Sequence, residues 1–430
     1  MPPGAPGREG ETMSRRRPAS FVPALAAVLA ASFLLSSCRA SQTPPSVEAK
    51  ARELHKRILT VDTHCDTAFS LLRTDWKIGE RHDPALRASG KIDLPRMREG
   101  GLDAEFFAAF VGQGPRTPEG YARAKDGALK AVEAVRRMTV TYADTIGLAV
   151  DPAGARRLKK AGKLTAFIGM ENGYPLGRDL SLVKAFYDKG VRYITLCHSS
   201  DNDICDSSTD RRAPADEGLS AFGREVVAEC NRLGMIVDIS HASDKSFYDV
   251  LAVSKAPVIA SHSSSRAVCD NPRNLSDDQI RALAKAGGVI QICFLGAYVK
   301  TPPVIPEREQ AIKEMEAKYG SLRDLKDESL RQKAMAERDA INQKYPQARP
   351  TVADLVDHID HVRALVGVDF VGIGTDFDGG GGVVGCDDVS GMIHVTEELV
   401  RRGYTDREIE KIWSGNFFRV FEKVMAQAGK

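Results

Sequence analysis

The chain has 430 residues, of which 43% are hydrophobic, 27% are charged and 7% are aromatic. This composition is typical of a globular protein with a well-charged surface, and it excludes a disordered chain or a multi-spanning membrane protein. Sixty basic against 58 acidic residues leave a formal charge of +2, which gives no support to nucleic-acid binding. The length allows one large α/β barrel or two domains, and the expected partner is a small molecule.

The amino-terminal segment is predicted to be an export signal. Residues 15–17 are three arginines, and the apolar stretch 21–35 is too short to span a membrane comfortably. Leu35-Ser36-Ser37-Cys38 resembles the lipobox of bacterial lipoproteins, which implies cleavage of residues 1–37 and a lipid on Cys38. An uncleaved N-terminal anchor is the alternative. In both cases the protein is exported and membrane-anchored, on the periplasmic or cell-surface side.

Eight short apolar runs alternate with helix-like segments along residues 51–430, after a flexible tether expected at 38–50. The runs cover residues 58–63, 104–111, 165–170, 192–197, 235–240, 257–261, 288–294 and 370–375. This alternation implies parallel strands joined by crossovers, and eight such units form an α/β fold of the (β/α)8 TIM barrel type. A doubly wound sheet is the alternative, but no Gly-x-Gly-x-x-Gly follows the first run and no P-loop motif is present.

One segment, at about residues 301–350, interrupts this alternation. It begins with three prolines within six residues and continues through a charge-dense stretch, 307–344, with apolar residues at helical spacing. The pattern predicts a solvated helical insertion. A surface helical hairpin and a lid over the barrel mouth are both compatible with it.

Residue types that bind metals or transfer protons follow most of the predicted strands. They are His64 and Asp66, then Glu171, His198, His241, His262 and Asp376. A single histidine near a strand end is usually a satisfied hydrogen-bonding residue. Many such residues together indicate a site, because the carboxyl ends of barrel strands converge on one cavity.

The spacing of these residues predicts a site for two metal ions. His64 and Asp66 are two positions apart on an extended chain, so their side chains point to the same side and can hold one ion. His241 and His262 end neighbouring strands and can hold a second ion. Glu171 lies between the two sets, where its carboxylate could bridge ions about 3.5–4 Å apart. Imidazole and carboxylate ligands without thiolate suit Zn²⁺, with Mn²⁺ or Co²⁺ as substitutes.

Six segments resemble, in chain order, the successive motifs of the membrane (renal) dipeptidase family. They are Val61-Asp62-Thr63-His64-Cys65-Asp66, Gly169-Met170-Glu171-Asn172-Gly173, Thr195-Leu196-Cys197-His198, Asp238-Ile239-Ser240-His241, Ser261-His262-Ser263-Ser264 and Gly374-Thr375-Asp376-Phe377-Asp378-Gly379. The resemblance covers roughly residues 52–425. It implies a metal-dependent barrel of the amidohydrolase type, with two zinc ions, that hydrolyses dipeptides and often accepts a D-residue at the C-terminal position.

The same resemblance implies roles for individual residues. The implied metal ligands are His64, Asp66, Glu171, His241 and His262. His198 and Arg273 would contact the substrate, with Arg266 as the rival for the second role. Asp376 would be the acid/base that passes a proton from a metal-bridged water to the leaving amine. His198 would stabilise the negative charge that develops on the carbonyl oxygen.

Two other classes of function stay open at this stage. Another amidohydrolase-type enzyme, acting on N-acyl amino acids or as a deaminase, would use the same barrel, and a non-catalytic binding lipoprotein could retain it. Glu171 in the bridging place disfavours the phosphotriesterase pattern, in which a lysine follows the fourth strand. The sequence also leaves open whether the chain forms a homodimer. Seven cysteines beyond Cys38, without a CxxC pair, predict few disulfides at most.

Overall fold

The structure, a computed structural model, describes residues 46–86, 89–210, 216–322, 325 and 327–429. From residue 47 onwards the chain is one compact unit. Its strands are β1 Val61–Cys65, β2 Ala104–Phe110, β3 Ile146–Leu148, β4 Leu164–Glu171, β5 Val191–Thr195, β6 Ile236–Asp238, β7 Ile259–Ser263, β8 Val289–Ile292 and β9 Val371–Ile373. Its α-helices are α1 Val47–Arg57, α2 Leu94–Gly100, α3 Pro118–Thr141, α4 Pro152–Lys160, α5 Ser181–Asp188, α6 Ala221–Leu233, α7 Asp244–Val253, α8 Asp277–Lys285, α9 Gly296–Val299, α10 Pro306–Tyr319, α11 Glu328–Lys344, α12 Val352–Val366, α13 Met392–Arg401, α14 Asp406–Glu410 and α15 Asn416–Met425.

Eight of these strands form a parallel barrel. Neighbouring strands pair in the order β1-β2-β4-β5-β6-β7-β8-β9, while β3 pairs with β4 beside this path. The two ends of the path meet where Cys65 pairs with Phe377 and the Asp66 N–H donates to the Phe377 carbonyl at 2.8 Å. The (β/α)8 barrel expected from the sequence is confirmed, and each predicted run overlaps one of its strands.

Capping residues set where the crossover helices begin and end. Ser276 at the start of α8 and Thr351 at the start of α12 each form a capping box with the residue three positions on, Gln279 and Asp354. Gly234, at φ 74°, ends α6 in the left-handed conformation. Each such cap stabilises a helix end by about 1 kcal/mol. The caps thereby fix the lengths of the crossovers that return the chain to the next strand.

Aromatic rings fill the amino-terminal end of the barrel. Phe106 of β2 stacks on Phe167 of β4 at 4.6 Å between ring centroids, and Phe417 of α15 meets Phe106 edge-on at 5.3 Å. All three rings are buried, and each contributes about 1.5–3 kcal/mol by leaving water. A ligand therefore approaches from the opposite, carboxyl end, as it does in other barrels of this type.

Helices α10 and α11 occupy most of the segment 301–350 and pack on each other. Met315 of α10 and Ala334 of α11 are buried. On the outside, Lys318 of α10 pairs with Glu337 of α11 at 2.7 Å. The segment follows β8 and α9 and so leaves the barrel at its carboxyl end. Its role as a lid stays a prediction.

The region before the barrel is described from Ser46 onwards. Helix α1 begins at Val47, which lies inside the tether expected at 38–50. The predicted signal and Cys38 lie outside the described residues. Among the helices described here, none combines the length and the apolar character needed to cross a membrane. The seven cysteines of the described part of the chain are all buried and free.

His55 of α1 provides a first testable prediction, on stability. Its ring lies 2.6 Å from Thr396 Oγ1 and edge-on to Trp413, and burial lowers its pKa to about 4. Between pH 6.5 and 4 the unfolded chain therefore binds a proton that the folded chain refuses, so stability falls as the pH falls through this range. We expect His55 to account for about 2–3 kcal/mol of the loss in unfolding free energy between pH 7 and pH 4.

Denaturant unfolding at several pH values checks this expectation. His55→Gln should remove that part of the pH dependence, whereas His394→Gln, at an exposed position of α13, should retain it. Equal pH slopes in wild type and His55→Gln would show that His55 is not the group involved.

Candidate active site

The side chains predicted from the strand ends come together at the carboxyl end of the barrel. His64 lies in β1, Glu171 ends β4 and His262 lies in β7, whereas His241 and Asp376 each follow their strand by three residues. The predicted residues form three groups of potential metal ligands. Within each group, the ligand atoms all lie within 4.8 Å of one another. Their members are His64, His262 and Asp376; Glu171, His198 and His241; and His64, Asp66 and Glu171.

Glu171 lies at the centre of this cluster, and its two carboxylate oxygens face different histidines. Its Oε1 lies 3.1 Å from His241 Nε2, 3.5 Å from His262 Nε2 and 3.7 Å from His198 Nε2. Its Oε2 lies 3.4 Å from His64 Nε2. One carboxylate thus faces His64 with one oxygen and three other imidazoles with its second oxygen, which is an arrangement that suits a bridging ligand.

Several atoms of the cluster are buried without a hydrogen-bond partner among the described residues. They include His64 Nε2, Asp66 Oδ1, Glu171 Oε2 and His241 Nδ1. Unsatisfied buried polar atoms each cost about 1–3 kcal/mol, so their accumulation in one place indicates a ligand. Imidazole nitrogens and carboxylate oxygens are donors for a divalent ion such as zinc, so these residues fit a metal site.

Burial and neighbouring charges shift the pKa values of the cluster residues in different directions. Burial disfavours the charged form of His64, but the carboxylates of Glu171 and Asp66 outweigh it and raise the pKa of His64 to about 10. Burial raises the pKa of Asp66 well above its usual range, and burial also lowers the pKa of His241 and His262 well below theirs. A divalent cation would resolve this conflict, because it favours neutral imidazoles and ionised carboxylates.

Unusual backbone conformations aim several of these side chains into the mouth. Asn172, His241 and Asp376 have positive φ angles of 71°, 70° and 60°. The left-handed conformation costs a non-glycine residue about 1–2 kcal/mol, and such cost is typical of functional sites. At Asp376 it is held by three backbone bonds: the Asp376 N–H donates to the His64 carbonyl at 3.0 Å, and the Asp376 carbonyl accepts from the N–H groups of Gly379 at 3.1 Å and Gly381 at 2.8 Å.

Asp376 and His198 lie at the edge of the cluster. Burial raises the pKa of Asp376 to about 7, which suits a group that both takes and gives a proton near neutral pH. The His198 side chain is 28% exposed, and its ring lies 4.6 Å from that of Phe110. A side chain on Gly379 would overlap the carboxylates of Asp66 and Asp376. Glycine at this position therefore leaves the space between them open.

The two candidate arginines differ in their surroundings. Arg273 is 3% exposed, donates to the His262 carbonyl at 3.1 Å and lies over the ring of Tyr298 at 5.2 Å. Its Nε has no hydrogen-bond partner among the described residues. Arg266 instead forms two hydrogen bonds to Asp244, at 2.8 and 3.0 Å. Of the two, Arg273 is therefore the one with a buried N–H, at Nε, that has no partner among the described residues.

Buried polar partners support the cluster from behind, and the sequence analysis assigned them no role although Asn172, Asp238 and Ser261 stand inside its motifs. His262 Nδ1 lies 2.8 Å from Ser261 Oγ, which donates to Asp238 Oδ2 at 2.6 Å. Asn172 donates to the Val111 carbonyl at 2.9 Å, and its Oδ1 accepts a bond from Asn202 at 3.0 Å. The one sequence signal was the charge of Asp238 inside an apolar run, since buried aspartates are rare unless paired.

A parallel barrel with imidazoles and carboxylates clustered at its carboxyl mouth defines a metal-dependent hydrolase. The chain belongs to the membrane dipeptidase family, Peptidase family M19, whose model matches residues 48–430. It is accordingly a dipeptidase of the metallopeptidase kind, and the family resemblance seen in its motifs is confirmed.

Relatives and solved structures agree with this assignment. Dipeptidase 3 of Mus musculus is 32% identical over 386 residues, which is 88% of this chain and 67% of that protein. The probable dipeptidase PvdM from Pseudomonas aeruginosa superimposes with a TM-score of 0.78 at 32% identity, over 90% of this chain and 100% of that one. A metallopeptidase from Rhodobacter sphaeroides, liganded with a phosphinate mimic of the dipeptide L-Ala-D-Ala, gives a TM-score of 0.66 at 25% identity, over 85% and 99%.

Proposed function

We propose that this chain hydrolyses the peptide bond of dipeptides at a centre that holds two zinc ions. The observation that carries the proposal is Glu171, whose Oε2 faces His64 while its Oε1 faces His241, His262 and His198. His64, Asp66 and Glu171 would hold one ion, and Glu171, His241 and His262 the other. Mn²⁺ or Co²⁺ could replace zinc, because the donor set contains no thiolate.

In the proposed reaction the metal ions and the protein side chains have different roles. Bound at these side chains, two divalent ions would polarise the substrate carbonyl and make a water acidic enough to attack at neutral pH. Asp376 takes the proton of the attacking water and delivers it to the leaving amine nitrogen. His198, on the open side of Glu171, donates a hydrogen bond to the carbonyl oxygen as negative charge develops on it.

Arg273 is proposed to set the length of the substrate. Its buried guanidinium has an N–H without a partner, and it would pair with the free carboxylate at the C-terminus of a dipeptide. A D-residue at that position is proposed as an accepted substrate. Support comes from the Rhodobacter sphaeroides metallopeptidase, which was solved with a mimic of L-Ala-D-Ala.

Attachment to a membrane through a lipid on Cys38 is also proposed. The lipobox-like segment Leu35-Ser36-Ser37-Cys38 supports it, and eight residues separate Cys38 from helix α1. Such a tether would hold the barrel close to the membrane on the outer side of the cell. Dimer formation stays a prediction from the sequence.

A substrate panel tests the proposed activity. Purified protein with zinc should release amino acids from L-Ala-D-Ala and L-Ala-L-Ala, and it should act less well on the corresponding N-acetyl amino acids. Preferred hydrolysis of N-acyl amino acids would favour the other amidohydrolase activity. Metal-loaded protein that binds dipeptides without turnover would instead indicate a binding lipoprotein.

A further inference from the structure

Tyr193 of β5 lies behind His64 in the barrel interior. Its phenol oxygen is 2.8 Å from His64 Nδ1, and both side chains are buried. The other ring nitrogen of His64, Nε2, faces Glu171 Oε2 at 3.4 Å. One nitrogen of the imidazole is therefore bonded to the tyrosine, and the other is directed at the proposed metal centre.

The barrel is built to hold this tyrosine in place. Gly169 of β4 has no side chain, and a Cβ there would overlap the Tyr193 ring and lie 2.5 Å from its hydroxyl oxygen. From the amino-terminal side, Phe106 stacks against the ring at 5.2 Å between centroids, with 26° between the planes. The ring is thus fixed by packing, so the position of its hydroxyl is fixed as well.

We propose that Tyr193 is a positioning residue for His64, a ligand of one of the two proposed metal ions. Its phenol oxygen accepts a hydrogen bond from His64 Nδ1–H, which selects the tautomer whose Nε2 lone pair is free for the ion shared with Asp66 and Glu171. This inference rests on the proposed two-metal centre. Removing the acceptor lowers the affinity for that ion, since both tautomers and several ring orientations then compete.

The second proposed ion, at Glu171, His241 and His262, has other supporting groups behind its ligands. His262 Nδ1 is bonded to Ser261 Oγ, which in turn donates to Asp238. Tyr193 makes no hydrogen bond to His262 or His241 in the described residues. Its removal should therefore weaken one ion and spare the other, which a general loss of stability would not do.

Zinc binding by the metal-free protein tests the proposal. Competition with a coloured chelator should give two binding constants for the wild type. Tyr193→Phe keeps the ring and removes the oxygen, and it should weaken one constant by about 10–100-fold while the other stays within about twofold. Tyr404→Phe is the matched control, because Tyr404 is also buried but donates to Asp360 Oδ1, far along the chain from any proposed ligand.

The possible results separate the two claims. Thermal unfolding of the metal-free proteins first establishes that the three forms are folded. Two unchanged constants in Tyr193→Phe, or two constants weakened equally, would overturn the role of Tyr193. A wild type that binds fewer than two ions would instead reject the proposed centre itself. Weakening of one constant in Tyr193→Phe and of neither in Tyr404→Phe would establish the positioning role.

Discussion

Replacing Asp376 by asparagine should lower the turnover number for dipeptides by about 10²–10⁴ while both metal ions remain bound. Asparagine has the same shape, tolerates the positive φ of this position and keeps the N–H that bonds to the His64 carbonyl. What it loses is the ability of the carboxyl group to take up and release a proton near neutral pH. Steady-state kinetics and metal analysis of the same preparation measure the two effects separately.

The pH dependence of the reaction provides a second test of the acid/base role of Asp376. As a base, the carboxyl group must be ionised, so activity should fall as the pH drops through its pKa. Burial raises the pKa of Asp376 to about 7, and bound cations would lower it from there. The acid limb of the wild-type profile that comes from Asp376 should be missing in Asp376→Asn.

Asp378 offers a matched control for this substitution. It lies two residues away with a similar φ of 66°, but its carboxylate accepts bonds from Thr67 Oγ1 at 2.6 Å and from the Lys91 N–H at 2.7 Å. Asp378→Asn should therefore reduce turnover far less than Asp376→Asn. Near-normal turnover in the Asp376 variant would transfer the acid/base role to His198.

Amidating the C-terminus of a dipeptide should lower kcat/KM at least about ten- to hundredfold if Arg273 binds the free carboxylate. The guanidinium is buried and its Nε–H has no partner among the described residues, so a neutral amide leaves it without its charged partner. A charge-assisted hydrogen bond of this kind is worth about 1.5–3 kcal/mol. Arg273→Ala should shrink the difference, since the variant would handle both substrates about equally badly.

Arg266→Ala is the control for the carboxylate-binding role. The guanidinium of Arg266 is already paired with Asp244, so its loss should leave the preference for the free carboxylate intact. If Arg273→Ala keeps the full preference and Arg266→Ala loses it, the roles are reversed. If the wild-type kcat/KM were the same for free and amidated dipeptides, the proposal that the free carboxylate restricts substrate length would be wrong.

The barrel and the members of the cluster could be predicted because they depend on local patterns. Alternating apolar runs and amphipathic segments are visible in sequence, and parallel strands bring their carboxyl ends to one place. Strand β3 was missed, because three residues, Ile146–Leu148, are too short to show a period. The choice between Arg266 and Arg273 also stayed open in the sequence, since both follow His262 within one loop and only burial distinguishes them.

The supporting contacts could not be predicted, because they depend on how strands far apart in the chain meet. Tyr193 reaches His64 across 129 positions of sequence, and Gly169 makes room for it only through the register of β4 with β5. The positive φ angles of His241 and Asp376 likewise have only a weak signal in residue type, since histidine and aspartate are enriched at positive φ but adopt it at few positions. These details decide the orientation of the ligands rather than their identity.

Metal analysis of an active preparation tests the central claim most directly. The account predicts about two zinc ions per chain, loss of dipeptide hydrolysis when a chelator removes them, a barrel that stays folded, and recovery of activity when zinc is returned. Undiminished dipeptide hydrolysis by protein shown to contain no divalent metal would contradict it.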